Sequence, residues 1–387
     1  MKKTRILHIA NSYWANKLYK ELILAINRSN IYQTVFVPIR HKSQDKSFNI
    51  IDNNIKIIYS LIASSIIYRI LFLLKVKKSI TSIDKNININ EIDVIHAHTL
   101  FSDGAIAYHY YKKYNVPYIV AIRNVDINEF IKYLVYLRPL GRNILKNAAR
   151  VVFLSDAYKQ RIINHYVQPS ERIAIERKSI IIPNGISKYW LDNRVTKVVE
   201  KKDDTFTLVF AGEFVRNKNI INVIKAVILL SKQGYKLKYN IIGEGYRDNT
   251  KYLDLIKNTI KNIDNISILP VQNKEGLLKL YRESDIFIMP SFTETFGLVY
   301  AEALSQGLPV IYTKGEGFDK VFPEAFVGLS VNPNNINDIA NSIIKIINNY
   351  NNFQKNCVSI ENRFSWETIS QEYINNYIDI KELENAN

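Results

Sequence analysis

Short apolar runs alternate with helix-length stretches along this chain, and the alternation runs through twice. The first set is Arg5-Ile6-Leu7-His8-Ile9-Ala10, Val35-Phe36-Val37, Ile55-Lys56-Ile57-Ile58, Val94-Ile95-His96-Ala97, Tyr118-Ile119-Val120-Ala121 and Val151-Val152-Phe153-Leu154. Apolar runs of this kind separated by helical stretches are the pattern of parallel βαβ units, whose strands are buried on both faces. A lysine-rich and acidic stretch, Lys197 to Asp204, interrupts the rhythm. It then restarts with Thr207 to Ala211, Lys238 to Ile242, Ile266 to Leu269, Ile286 to Met289 and Pro309 to Tyr312. The expectation is an α/β protein of two doubly wound domains, residues 1–190 and 191–365, with a cleft between them faced by strand carboxyl ends that carry ligands. Phe364-Ser365-Trp366-Glu367 opens a last helix, 366–387.

A chain of 387 residues suits two ordinary domains, and 47% hydrophobic residues argue against disorder. The single cysteine, Cys357, cannot form an internal disulfide, and Met1-Lys2-Lys3-Thr4 shows no signal-peptide pattern. A cytoplasmic location follows as the expectation. The net charge of +16 calls for a partner or a surface. No zinc-finger spacing, RNP-like sequence or Gly-rich basic tail points to nucleic acid. An anionic membrane surface, met peripherally, is the better partner. Ile57 to Leu74 is almost wholly apolar, broken by Ser60, Ser64, Ser65 and Arg69 and followed by Lys75, Lys77 and Lys78. Three readings compete for it: a core helix with a basic end, an interfacial membrane helix and a membrane span. The arginine near its middle disfavours the span.

The segment Ser291 to Val310 says most about chemistry. Glu294 and Glu302 have seven residues between them, with Phe296-Gly297 after the first glutamate and Gly307-Leu308-Pro309-Val310 after the second. The preceding apolar run reads as a strand, and Gly297 to Ser305 as a helix ending at Gly307. Glu294 then lies in a loop at the strand's carboxyl end, and Glu302 lies about a turn and a half into the helix. A helix N-terminus suits a diphosphate, and carboxylates accept hydrogen bonds from sugar hydroxyls.

The full string, Pro-Ser-x-x-Glu-x-Phe-Gly-Leu-x-x-x-Glu-Ala-x-x-x-Gly-x-Pro-Val, resembles the Glu-x7-Glu signature of retaining family 4 glycosyltransferases with the GT-B fold. The resemblance spans nearly the whole chain and is specific from about residue 207 to 312. It implies two Rossmann-like domains facing a central cleft, with a nucleotide-sugar donor on the C-terminal one and a glycan or lipid-linked acceptor on the N-terminal one. It also implies that the last helix crosses back onto the N-terminal domain. On this resemblance Glu294 holds sugar hydroxyls, Glu302 holds the ribose, and Phe296, Gly297 and Leu298 line the donor loop. Ala211-Gly212-Glu213-Phe214-Val215-Arg216-Asn217-Lys218 is similar to the family's Gly-Arg-Leu-x-x-x-Lys-Gly loop. Lys218, read as beginning the next helix, takes the lysine's place against the diphosphate, and Gly212 allows a close backbone approach. Glu213 stands where the family has arginine, and so has to point away or pair with a cation. Arg216 and Arg123 are the candidates to replace the missing guanidinium. Gly243 falls on a Gly-x-Gly turn near the base and sugar, Val271 falls where backbone groups hold the base, and Pro183-Asn184-Gly185 matches a segment near the domain junction.

On the acceptor side the alternation puts His96 and His98 on one face of a strand. A metal site needs more ligands than these two, and the expectation is that they are satisfied or cleft-edge histidines. Asp103 reads as a helix cap. Arg123, Asn124 and Asp126 follow the next strand and resemble the Arg-x-x-Asp variant of some surface-polysaccharide transferases. Asp-x-Asp occurs nowhere. The expectation is a metal-independent enzyme, without a cofactor, that uses a nucleotide sugar in surface polysaccharide synthesis. A nucleotide-sugar epimerase or hydrolase on the same fold, or a donor-binding subunit without turnover, are the alternatives.

Overall fold

The computed structural model describes residues 3–28, 30–44, 48–62, 72–198, 200–201, 203–245 and 251–385. The chain divides into two compact units. The first comprises Met1–Leu154, Lys159–Gly185 and Trp366–Asn387, and the second Ser155–Tyr158 and Ile186–Ser365.

In the first unit, seven strands form one parallel sheet: β1 (Thr4–Ile9), β2 (Ile31–Ile39), β3 (Ile55–Leu61), β4 (Val94–Ala97), β5 (Tyr118–Ala121), β6 (Arg150–Phe153) and β7 (Ser179–Ile181). Their order is β3-β2-β1-β4-β5-β6-β7. Helices cover both faces, which is why the strands read as apolar runs without alternation. One face packs Leu7, Ile95 and Val120 against Ile106 and Tyr110 of the helix Ser102–Tyr114 and Ile144 of Arg138–Asn147. The other packs Ile6, Val94 and Ile119 against the helices Lys17–Ile26 and Trp366–Asn385, the latter through Ile369, Tyr373 and Tyr377. The last helix is pinned there by the Trp366 indole, which donates to Glu21 (2.8 Å), and by the Lys381–Asp93 ion pair (3.0 Å). A Cβ on Gly185 would sit 2.5 Å from the Trp366 ring, so the Pro-Asn-Gly segment needs its glycine for packing.

The second unit repeats the plan with β8 (Phe206–Ala211), β9 (Leu237–Ile242), β10 (Ile266–Leu269), β11 (Ile286–Ile288), β12 (Val310–Thr313) and β13 (Gly328–Val331), in the order β10-β9-β8-β11-β12-β13. All the pairings in both sheets are parallel. In each sheet the order reverses beside the unit's first strand, between β1 and β4 and between β8 and β11. Ligands of such sheets sit outside the carboxyl ends at that reversal.

The apolar segment Ile57 to Leu74 is not one helix. Ile57–Leu61 belongs to β3, where backbone pairing with β2 decides the conformation, and Ser60 there meets Ser82 (2.7 Å). Residues 63–71, with Ser64, Ser65, Tyr68 and Arg69, lie outside the described residues. A helix follows at Phe72–Asn86. Among the described residues no helix is long and apolar enough to cross a membrane.

Candidate active site

Because the strands are parallel, the segments after β8, β9, β10, β11 and β12 leave the second sheet at one edge. They carry Gly212 and Lys218, Gly243, Val271, Glu294 to Gly297, and Glu316, respectively. Gly243 has φ +147°, and a Cβ there would stand 1.9 Å from the Gly212 carbonyl oxygen, so the two loops touch backbone to backbone only because this residue is glycine.

Beside the reversal of strand order, Lys218 Nζ donates to Glu294 Oε2 at 2.7 Å. Both side chains are partly buried, 22% and 15% exposed, so water screens the pair only in part. Lys218 does not begin a helix. It closes a 3₁₀ turn, Arg216–Lys218, and the helix starts at Ile220 after Asn219, whose φ is +58°. Asn219 is buried, and its amide donates to the Pro290 and Pro333 carbonyls (3.0 and 2.7 Å).

The Glu294 loop is held from several sides. Its backbone N–H donates to Glu316 Oε2 (2.9 Å), its carbonyl accepts from Gly317 N–H (2.7 Å), and its own Oε1 accepts from Thr295 N–H (3.0 Å). A Cβ on Gly317 would fall 2.0 Å from the Thr295 carbonyl oxygen, so that approach also requires glycine. Asn217 exchanges hydrogen bonds with Thr293, Nδ2 to the carbonyl (2.8 Å) and N–H to Oδ1 (3.1 Å), while Phe292 N–H donates to the Asn217 carbonyl (2.8 Å). Neither Asn217 nor Glu316 stood out in the sequence. The glycines flanking Glu316 were the available signal, and for Asn217 there was none.

Gly297 precedes the helix Leu298–Ser305 at φ +76°, and a Cβ on it would strike the Tyr300 ring at 2.5 Å. The Phe-Gly-Leu sequence thus turns the chain into a helix whose first N–H groups face the same edge. Phe296 is buried against Phe318 and Phe364, so it can offer a ligand only its backbone. Val271 is 57% exposed, and Glu213 and Arg216 are exposed as well. Glu302 sits in the helix as placed. Burial pushes its carboxyl up to about 7, against the opposing effects of a hydrogen bond from Trp190 and the nearby Lys274 ammonium.

At the corresponding edge of the first unit the polar residues are buried. His8 on β1 lies opposite His96 on β4 in the strand register, and His98 follows on the same face. The sequence reading held two histidines; pairing of β1 with β4 adds a third. One ring nitrogen of each lies within 4.8 Å of the others. The rings of His96 and His98 stack at 4.0 Å and 23°, and those of His8 and His98 at 5.3 Å and 26°. The rings of His8 and His96 are tilted at 48°, and both burial and the nearby Arg123 guanidinium work against added positive charge at this cluster. The cluster is only partly hydrogen-bonded, with His8 Nε2, His96 Nε2 and His98 Nδ1 buried and without a partner among the described residues. His8 Nδ1 meets His98 Nε2 (3.1 Å), and His96 Nδ1 meets the Tyr377 hydroxyl (2.6 Å). Burial holds all three imidazoles below their ordinary range, His8 at about 3.

Asp103 is not a cap. The helix Ser102–Tyr114 is preceded by Phe101, and Asp103 turns instead toward β1, accepting from the Asn11 amide (2.7 Å). It is buried, which pushes it up to about 7. Asp126, expected to face an acceptor, is fully buried and accepts from the backbone N–H groups of Leu100 (3.0 Å), Phe101 (3.2 Å) and Arg123 (2.9 Å). These bonds tie the turn after β4 to the turn after β5. Arg123 Nε donates to the His98 carbonyl (3.3 Å), and the exposed Asn124 accepts from Asn128.

Residues 17–188 match the family model described as Glycosyltransferase Family 4, and residues 193–362 the model described as Glycosyl transferases group 1. An uncharacterised glycosyltransferase of Methanocaldococcus jannaschii is 26% identical over 74% of this chain and 75% of its own length. The capsular polysaccharide biosynthesis glycosyltransferase CapM of Staphylococcus aureus is 27% identical over 65% of this chain and 68% of its own. HepE of Anabaena, solved in complex with UDP, matches with a TM-score of 0.69 at 15% identity, covering 96% of this chain and 98% of its own; that likeness bears on the fold.

Proposed function

We propose that this chain, which belongs to the GT-B glycosyltransferases built from a family 4 and a group 1 domain, transfers a sugar with retention from a nucleoside diphosphate sugar to a hydroxyl of a glycan or lipid-linked acceptor. The observation that carries this reading is the Lys218–Glu294 pair, set at the reversal of strand order beside a helix N-terminus. Lys218 and the N–H groups after Gly297 neutralise the diphosphate, Glu294 holds sugar hydroxyls and Glu302 the ribose. The bond from the anomeric carbon to the diphosphate breaks, the acceptor oxygen bonds to that carbon on the same face, and its proton passes to the leaving phosphate oxygen. Stabilising the departing charge by preorganised donors is the main source of rate. Lysine and backbone N–H groups supply that charge without a metal ion or other cofactor. The UDP bound by HepE supports a nucleotide-linked donor, and the role in CapM's name supports a polysaccharide acceptor.

Contact with an anionic membrane from the inner face is part of the proposal. Leu73 and Leu74 stand exposed near Lys77 and Lys78 on one short helical stretch, and each lysine near an anionic surface contributes roughly 1 kcal/mol. Thermal-shift screening against UDP-, GDP- and ADP-sugars, followed by mass spectrometry with candidate acceptors, tests the transfer. Product formed from donor alone, or stabilisation without product across the whole acceptor panel, would overturn it.

A further inference from the structure

We propose that Asn217 is a positioning residue for the transfer reaction, an inference that rests on the reading of Lys218 and Glu294 given above. Asn217 lies one residue before Lys218, and among the described residues its side chain bonds to Thr293, 76 residues away and next to Glu294. The side-chain amide gives and takes one hydrogen bond with the Thr293 backbone, as a neighbouring strand would, and the Asn217 carbonyl takes the Phe292 N–H. Apart from these bonds, the two segments are joined by Asn219, whose amide donates to the Pro290 carbonyl at their base, and at their tips by the Lys218–Glu294 contact. That contact is made by two long side chains, which alone cannot set a distance between loops. A reciprocal amide–backbone pair can, because both of its hydrogen bonds are directional and short. A donor that draws Lys218 to its diphosphate and Glu294 to its sugar separates the ion pair; the Asn217 bonds involve neither charged group and persist. Asn217 therefore holds the spacing between the diphosphate-binding and sugar-binding groups through the reaction, without touching either ligand.

The test uses the full chain as wild type, Asn217→Ala, Lys218→Ala and the double variant. UDP-, GDP- and ADP-glucose serve as probes, and release of the nucleoside diphosphate is followed with acceptor extract present. Misplacement of reacting groups lowers rate far more than it lowers affinity, so Asn217→Ala should lose on the order of 10- to 100-fold in kcat with a KM change of about threefold or less. Its melting temperature should stay within a few degrees of the parent. In the Lys218→Ala background the same change should add little, because the group it positions is already gone. Hydrogen exchange at Phe292 and Thr293 should quicken in Asn217→Ala. Should that variant not fold, Asn217→Asp keeps the oxygen that accepts from Thr293 N–H and turns the bond to the Thr293 carbonyl into a repulsion, so kcat should fall there too. A parental kcat in Asn217→Ala beside a crippled Lys218→Ala overturns the positioning role and spares the transfer reading. Parental rates in both, or no release from any probe by the wild type, overturn the transfer reading and the positioning role with it. Full additivity in the double variant leaves a merely structural residue and also overturns the proposal.

Discussion

The two units place their first and fourth strands side by side and turn the order of the sheet there, yet they furnish the two carboxyl edges in opposite ways. Between β8 and β11 the charges are partly exposed, and the loops that carry Lys218 and Glu294 are held by backbone contacts that leave the two charges paired with each other and in reach of water. Between β1 and β4 the polar groups are buried and turned on one another: three neutral imidazoles against each other and Tyr377, Asp103 against Asn11, and Asp126 against three backbone N–H groups, with one nitrogen of each imidazole and one Asp103 oxygen left without a partner among the described residues. A group meant to meet a charged ligand has to keep its charge, which demands water or a partner that can let go. A group meant to fix a fold is better buried with its hydrogen bonds made, as those of Asp126 are. One fold plan can thus yield an edge built to bind charge and an edge built to hold turns together.

The sharpest way to break this contrast is Lys218→Ala. Removing one preorganised donor from a departing charge costs on the order of 10²–10³ in rate, while breaking this partly buried pair should cost folding an amount between the about 0–1 kcal/mol of an exposed pair and the about 3–5 kcal/mol of a buried one. Steady-state kinetics beside a melting curve should show kcat/KM falling with the fold intact. Asp126→Ala should do the reverse. It strands three backbone N–H groups in a buried turn, and losing hydrogen bonds to a charged group should cost about 3 kcal/mol of stability. A denaturant titration would register this; a variant as stable as the parent with turnover abolished would move Asp126 back to the acceptor.

Glu302 offers a smaller and pH-dependent test. Its carboxyl, raised to about 7, is protonated below neutrality and then offers the ribose fewer acceptor lone pairs. Donor KM should rise a few-fold, roughly, as pH falls from about 8 to 6, and Glu302→Gln should flatten that profile. The stability effect has the opposite sign. The folded state keeps a proton that the unfolded chain releases near its ordinary value, so this group makes the fold less stable as pH rises through that window to about 7. The smallest effect is expected from chelation. Turnover with EDTA, and after adding Mg²⁺ or Mn²⁺, should be unchanged if, as proposed, Lys218 and a helix N-terminus neutralise the diphosphate. Loss with EDTA and rescue by metal would refute this.

Much of the second unit was legible because its evidence is contiguous. Strand, loop, Phe-Gly-Leu turn and helix follow one another from Ile286 to Ser305, and each carries its own local signal in periodicity or in a glycine. The failures have two causes, one local and one long-range. Lys218 was placed in a helix that starts two residues later, because an asparagine in the left-handed region interrupts it. Asp103 had the composition of a cap, but a partner across the sheet, Asn11, claimed its carboxylate. The segment from Ile57 was apolar enough to be read as helix, but its first part was claimed by pairing with β2.

The sequence by itself determined the alternation of strands and helices, the point at which it restarts, and the loop that brings glutamate, glycine and helix N-terminus together, since these depend on residues within a few positions of one another. Only the tertiary structure decided that His8 joins His96 and His98, that Asp126 is sealed inside a turn, and that Asn217 grips Thr293. Each of these follows from which strands lie side by side. Strand order in a parallel sheet is fixed by how whole helices pack across it, a long-range choice that leaves no mark on the residues it brings into contact.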